Sequence, residues 1–140
     1  LSKNVFITGF IKYDLVISAN KSAKLAMITS DADTLPTVAI EALACRKSIV
    51  AVKDEGVMPM VKNGLNGILA AKNPTSIAKA IITLLQNDTL RKQYEAASYK
   101  LAQNFSIEEH VNGLEKIYAQ TKSKGKVQPL KELHPRYGFR

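Results

Sequence analysis

Tryptophan is missing from this 140-residue sequence, cysteine occurs once, and aromatic residues make up only 6% of the chain. A single cysteine, Cys45, excludes an internal disulfide, so the fold must rest on its apolar core, and a reducing compartment fits best. Because Cys45 lies in the apolar run 40–45, it reads as a small core residue rather than a nucleophile. No apolar stretch approaches the ~20 residues needed to span a bilayer. The opening Leu1-Ser2-Lys3-Asn4-Val5 holds no signal peptide and no initiator methionine. A chain that starts on Leu directly before a strand is expected to be a piece of something longer.

Acidic residues are scarce too: 12 Asp and Glu against 20 Lys and Arg leave a formal charge of +8. Much of that excess sits at the end, where residues 122–140 carry Lys122, Lys124, Lys126, Lys131, Arg136 and Arg140 against Glu132 alone. Few aromatics interleave with these charges, so a solvated basic tail is expected rather than a nucleic-acid interface. A peripheral contact with anionic lipid remains compatible with it. The other totals, 46% hydrophobic and 23% charged, are those of an ordinary globular protein, and the length suits one domain with one core.

What the sequence does contain is alternation. Asn4–Thr8, which is β-branched and aromatic, and the short apolar runs Leu25–Ile28, Ile49–Val52 and Ile68–Ala70 predict four strands. Between and after them the spacing predicts helices over Asp14–Ala23, from Pro36 through Ala44, from Pro74 to Leu85, from Asp88 to about Ala102, and from Ser106 onward. Leu15, Val16 and Ala19 would face the core from the first helix, and Ile77, Ala78, Ile81, Leu84 and Leu85 from the third. Asn73, Asp88 and Ser106 are the expected caps, and a short helical turn is expected at Met58–Lys62. Gly125, Pro129 and Pro135 break any pattern after Lys122.

The expected fold is therefore α/β: a Rossmann-like parallel sheet of about four strands with flanking helices and further C-terminal helices. Residues 1–121 would form the domain and 122–140 a basic, extended or disordered tail. In open parallel sheets ligands sit beyond the carboxyl ends of the strands. Gly9–Ile11, Ser30–Pro36, Lys53–Pro59 and Ala71–Asn73 would therefore share one rim.

The second of these loops carries the chemistry. In Asp33-Thr34-Leu35-Pro36-Thr37-Val38-Ala39-Ile40-Glu41 one carboxylate lies in the loop and another inside the helix. A helix start offers N–H groups without intrahelical partners and a positive dipole end, both of which favour phosphate. Asp33 can accept from a sugar hydroxyl, or it can serve as a turn residue; the spacing admits both. Glu41 lies among apolar neighbours, where a carboxylate needs a partner or a wet cleft, and a ribose diol would supply one.

Beyond these physical arguments, Asp33-Thr34-Leu35-Pro36 leading to Glu41-Ala42-Leu43-Ala44-Cys45-Arg46 resembles the donor-binding, C-terminal domain of retaining GT-B glycosyltransferases of family four. Val5-Phe6-Ile7-Thr8-Gly9-Phe10-Ile11 is similar to the family's strand and glycine loop at the nucleotide base. Ile49-Val50-Ala51, Gly64-Leu65-Asn66-Gly67-Ile68-Leu69, Leu84-Leu85, Leu90-Arg91 and Phe105-Ser106 follow in register, so the likeness covers about residues 4–120. The resemblance implies binding of a nucleoside-diphosphate sugar for glycan biosynthesis, with no other cofactor and no metal. Glu41 would hold the ribose hydroxyls and Asp33 would face the donor sugar. The backbone around Leu35–Val38, including Pro36 and Thr37, would meet the diphosphate, with Thr34, Gly9, Phe10 and Gly56 lining the site.

Several positions depart from the family pattern. Asp33 replaces the usual Glu, and Thr34 the Gly that follows it. Arg46 stands where a helix-ending Gly is usual, at a cost of about 1 kcal/mol if the backbone turns left-handed. Glu55 replaces the first Gly of a Gly-Gly-x-x-Glu loop and Pro59 its Glu, while Gly56 is kept. The family's basic pair and N-terminal acceptor domain find no counterpart here, nor does its catalytic His, which neither His110 nor His134 matches. The chain is thus expected to be incomplete as an enzyme alone, cytoplasmic or peripheral to the membrane, and to need an acceptor domain or partner subunit. The competing expectation is a non-catalytic remnant that keeps the fold as an interaction or regulatory module.

Overall fold

The computed structural model describes residues 3–30 and 32–124. It divides into two compact units, Leu1–Gln103 and Asn104–Arg140.

The first unit is an α/β layer structure. Three parallel strands, β1 (Leu25–Ile28), β2 (Ser48–Val52) and β3 (Gly67–Ala70), pair in that order, with Leu25 opposite Ser48 and Ile49 opposite Gly67. Helix α1 (Tyr13–Ser22) precedes β1, α2 (Thr37–Ala44) joins β1 to β2, and α3 (Pro74–Gln86) and α4 (Asp88–Ala102) follow β3. The central strand is buried along its whole length, as a near-continuous apolar run covered on both faces should be. Val50 turns to one face, where it packs with Ala70, Ala80, Leu84 and Tyr94 from β3, α3 and α4. Successive side chains alternate, so Ile49 and Ala51 point the other way and are equally buried. The α2 helix packs on β1 and β2 through its buried Ala39, Ala42 and Leu43.

Between β2 and β3 the chain crosses over without a regular helix, through a turn at 55–60. Val57, Met60 and Val61 anchor that turn in the core. Asn66 then fixes the exit: its side-chain amide donates to the Met60 carbonyl at 2.9 Å and its Oδ1 accepts from the Lys62 N–H at 2.7 Å. Gly67 lies so close to β2 that an added Cβ would fall 2.3 Å from the Ile49 carbonyl oxygen. The Gly64-Leu65-Asn66-Gly67 run therefore has a packing role.

Several expectations change. Asn4–Thr8 is not a strand: it joins no ladder, and Phe6 and Ile7 are 88% and 93% exposed. β propensity reflects pairing and burial more than backbone preference, and this segment has neither, so among the described residues the sheet has three strands rather than four. No residue of α1 is buried; Val16 and Ile17 are half-covered while Leu15 is exposed. In α3 the buried residues are Ala80 and Leu84, with Ala78 and Leu85 turned outward. The helical turn expected at Met58–Lys62 falls at 55–60.

Asn73 caps α3 as its sequence predicts, accepting from the Ser76 N–H at 2.8 Å. For α4 the cap is Asn87, one residue before the expected Asp88; its Oδ1 accepts from the Leu90 N–H at 2.9 Å. Asp88 instead occupies the first turn and pairs with Arg91 at 2.7 Å, a position that also suits the helix dipole.

The second unit contains α5 (Ile107–Lys124), opened by Ser106, whose hydroxyl accepts from the Glu109 N–H at 3.2 Å. The helix runs three residues past the expected boundary at 121. The rest of the expected basic tail, residues 125–140, lies outside the described residues. Among the described residues no helix is long and apolar enough to cross a membrane.

Candidate functional site

The carboxyl ends of β1 and β2 release two loops to the same rim. The first, ending at Pro36, leads into α2 and carries Asp33. Oδ1 of Asp33 accepts from the Leu35 N–H at 3.1 Å, so this carboxylate organises its own loop. One such bond leaves acceptor capacity, since a carboxylate has about four lone-pair sites. Pro36 precedes the helix in an extended conformation and is buried, holding the start of α2 against the core. Asp33, Thr34, Leu35, Thr37 and Val38 are all exposed around that start.

The second loop, after β2, meets the first through Gly56. Asp54 accepts from the Gly56 N–H at 2.9 Å, which folds the turn. A Cβ at Gly56 would lie 1.6 Å from the Asp33 carbonyl oxygen and 2.7 Å from its carbon. The two loops are thus in backbone contact, and only a residue without a side chain permits it. Lys53 and Glu55 are exposed on this second loop.

Glu41 sits one turn into α2 and is half-buried, with Ala42 and Leu43 beside it in the core. Its carboxylate acts electrostatically on Tyr13, the first residue of α1. The negative charge of Glu41, assisted by desolvation, holds the Tyr13 phenol above its ordinary pKa; nearby Cys45 acts in the same direction. Helix α1 is itself tied down at its far end, where Lys47 Nζ donates to the Lys21 and Ala23 carbonyls at 2.9 Å each. The carbonyl of Lys47 in turn accepts from the Ser98 hydroxyl at 2.7 Å.

Of the residues that the sequence singled out, Asp33, Thr34, Leu35, Pro36, Thr37, Val38 and Gly56 are thus brought to one rim by the two loops. Glu41 belongs to the same helix. Gly9 and Phe10 precede α1; Gly9 has a left-handed backbone, with open space where a Cβ would be, and Phe10 is fully exposed. Neither makes a contact that joins it to the other site residues. Arg46 does adopt the left-handed conformation, with φ 57°. Its guanidinium lies 3.9 Å from the centre of the Tyr99 ring, a contact worth about 0.5–1 kcal/mol at an exposed site, which offsets much of the backbone cost.

Tyr13 and Lys47 escaped the sequence reading. Tyr13 carries no motif, and Lys47 looks like one surface lysine among many; its bonds to the end of α1 are made only in the folded chain. Among the described residues no three His, Cys, Asp or Glu side chains gather as a metal-ligand set.

A family model described as Glycosyl transferases group 1 matches residues 1–101, essentially the first unit. The chain belongs to this family. Its relatives include an uncharacterised glycosyltransferase of Methanocaldococcus jannaschii, 30% identical over 118 residues, which cover 84% of this chain and 34% of that protein. A D-inositol 3-phosphate glycosyltransferase of Catenulispora acidiphila is 28% identical over 78% of this chain and 26% of its own. An alpha-D-kanosaminyltransferase of Streptomyces kanamyceticus is 28% identical over 86% of this chain and 32% of its own. The chain therefore spans about a third of the length of the curated relatives it matches, and its α/β fold with a parallel sheet is that of a partial GT-B glycosyltransferase domain.

Proposed function

We propose that this chain is the C-terminal, donor-binding part of a retaining GT-B glycosyltransferase, taking a nucleoside-diphosphate sugar at the rim formed by Asp33–Val38 and Gly56. The observation that carries this reading is the backbone contact between Gly56 and Asp33, which joins two loops beside the start of α2. In this reading the diphosphate meets the first N–H groups of α2, whose dipole and unpaired donors offset its charge. Glu41 accepts from the ribose hydroxyls, and the remaining lone pairs of Asp33 face the donor sugar.

The chemistry that follows is one of placement. As the glycosidic C–O bond to the diphosphate breaks, positive charge grows on the sugar and negative charge on the leaving oxygens. A fixed carboxylate near the first and N–H groups near the second stabilise both. The acceptor and the exclusion of water would come from a further domain or a partner subunit, consistent with relatives about three times as long. The non-catalytic alternative draws no support from the relatives, which are named as glycosyltransferases.

Calorimetric titration with UDP, GDP and ADP and with their glucose and mannose conjugates tests the reading. Saturable heat from at least one of them at millimolar concentration or below, reduced by Glu41→Ala, is the expected result. No heat from any, with Asp33→Ala and Glu41→Ala indistinguishable from the parent chain, would rule the reading out.

A further inference from the structure

Helix α5 carries apolar residues along one line. Ile107, Val111, Leu114 and Tyr118 alternate in the spacing that keeps a stripe turned towards a partner helix. All four are exposed, Ile107 at 68% and Tyr118 at 70%. A contiguous apolar surface of this kind marks an interaction site.

The charges of the helix are unevenly spread. Its first turn holds Glu108 and Glu109, whereas Lys116, Lys122 and Lys124 lie in its second half, with Glu115 beside Lys116 near the middle. Such a helix complements itself in one orientation only. A parallel pair sets glutamates beside glutamates and lysines beside lysines, with the two dipoles aligned. An antiparallel pair about a twofold axis sets each acidic beginning beside the other copy's basic end, and stripe upon stripe.

From this arrangement we propose that α5 is a self-association surface through which two copies of the chain pair antiparallel, the apolar stripe at the centre and opposite charges at the rim. Its 18 residues extend for about 27 Å. Pairing over that length buries on the order of 1,000 Å² across both copies, the lower end of what a specific interface needs. A dimer forming at micromolar concentration is therefore expected. An anionic membrane fits the stripe less well, because three glutamates balance three lysines along the helix. The pairing stands apart from the donor site, and neither reading depends on the other.

Sedimentation equilibrium on the full 140-residue chain, at low and at molar salt, tests the inference. The parent should form a dimer over the micromolar range, more weakly as salt screens the rim. Leu114→Glu should leave a monomer. Glu108→Lys with Glu109→Lys should weaken association about tenfold at low salt, since beginning and end then repel; adding Lys122→Glu with Lys124→Glu should restore it. In a parallel pair the first two substitutions would cost nothing, because like charges face each other before and after. A parent that stays monomeric to millimolar concentration, association untouched by Leu114→Glu, or charge reversal without effect would overturn the inference. So would a monomeric parent that binds anionic vesicles, which would assign the stripe to a membrane. Far-UV circular dichroism matching the parent's will show the helix intact, and the charge variants decide the matter even if Leu114→Glu disturbs it.

Discussion

The carbonyl oxygen of Asp33 occupies the space that a side chain at Gly56 would need, 1.6 Å from where its Cβ would sit. Two loops from neighbouring strands are thereby locked backbone to backbone, and the start of α2 lies beside the lock.

Gly56→Ala should therefore force the loops apart. Overpacking at a rigid contact costs typically about 1–3 kcal/mol, and here the clashing atoms are backbone, which cannot rotate away. Chemical denaturation should register that loss, and binding of a nucleoside diphosphate should weaken in the same variant. Gly113→Ala is the control: it lies in α5 with nothing within 4 Å of the added carbon, and should stabilise by about 0.5–1 kcal/mol through helix propensity.

Arg46 combines a left-handed backbone with a cation on an aromatic face. Arg46→Gly removes both the strain and the stacking, terms of about 1 and 0.5–1 kcal/mol that oppose each other, so stability should change by less than about 0.5 kcal/mol. Arg46→Ala keeps the strain and loses the stacking, and should destabilise by about 0.5–1 kcal/mol. A double-mutant cycle with Tyr99→Ala should return a coupling of that size, and a coupling of zero would show the stacking to be without energetic consequence.

Tyr13 titrates above its ordinary value chiefly because the Glu41 carboxylate opposes the phenolate. Glu41→Gln should lower that pKa, as read from phenolate absorbance by difference against the matching Tyr13→Phe protein. The linked stability has a definite sign. With the folded pKa raised, the folded state retains its proton after the unfolded chain begins to lose it near pH 10. The contribution is complete below that pH and is lost as pH rises through the folded value. Melting temperatures of the parent should fall more steeply in that range than those of Tyr13→Phe.

Asn66 is fully buried and satisfies two backbone groups across the β2–β3 crossover. Asn66→Ala strands the Lys62 N–H and the Met60 carbonyl, and should destabilise by about 2–4 kcal/mol, measurable as a shift of the denaturation midpoint without a change in its slope. Asn66→Asp restores only the acceptor and should recover part of that loss.

Much of this architecture was legible in the residues. The buried run Ile49–Val52 and the Asn73-Pro74 start of α3 are locally determined, because a continuous apolar strand and a cap next to Pro each admit few alternatives. The left-handed turn at Arg46 followed from its place at a helix end. What escaped depended on partners distant along the chain. Asn4–Thr8 has strand composition but no strand to pair with, which composition cannot reveal. The contact of Gly56 with the Asp33 carbonyl and the stacking of Arg46 on Tyr99 both arise from how elements pack. For the candidate site, the sequence identified the loop and the helix that carry Asp33 and Glu41, and Gly56 as a site residue, but not that Gly56 packs against the Asp33 backbone.

Amide chemical-shift mapping during titration with a nucleoside diphosphate addresses the central claim most directly. The largest changes should fall on Leu35, Thr37, Val38 and Gly56, and saturate together. Changes confined to other surfaces, such as the basic residues after 121, with those four amides unmoved, would contradict the placement of the diphosphate at the start of α2.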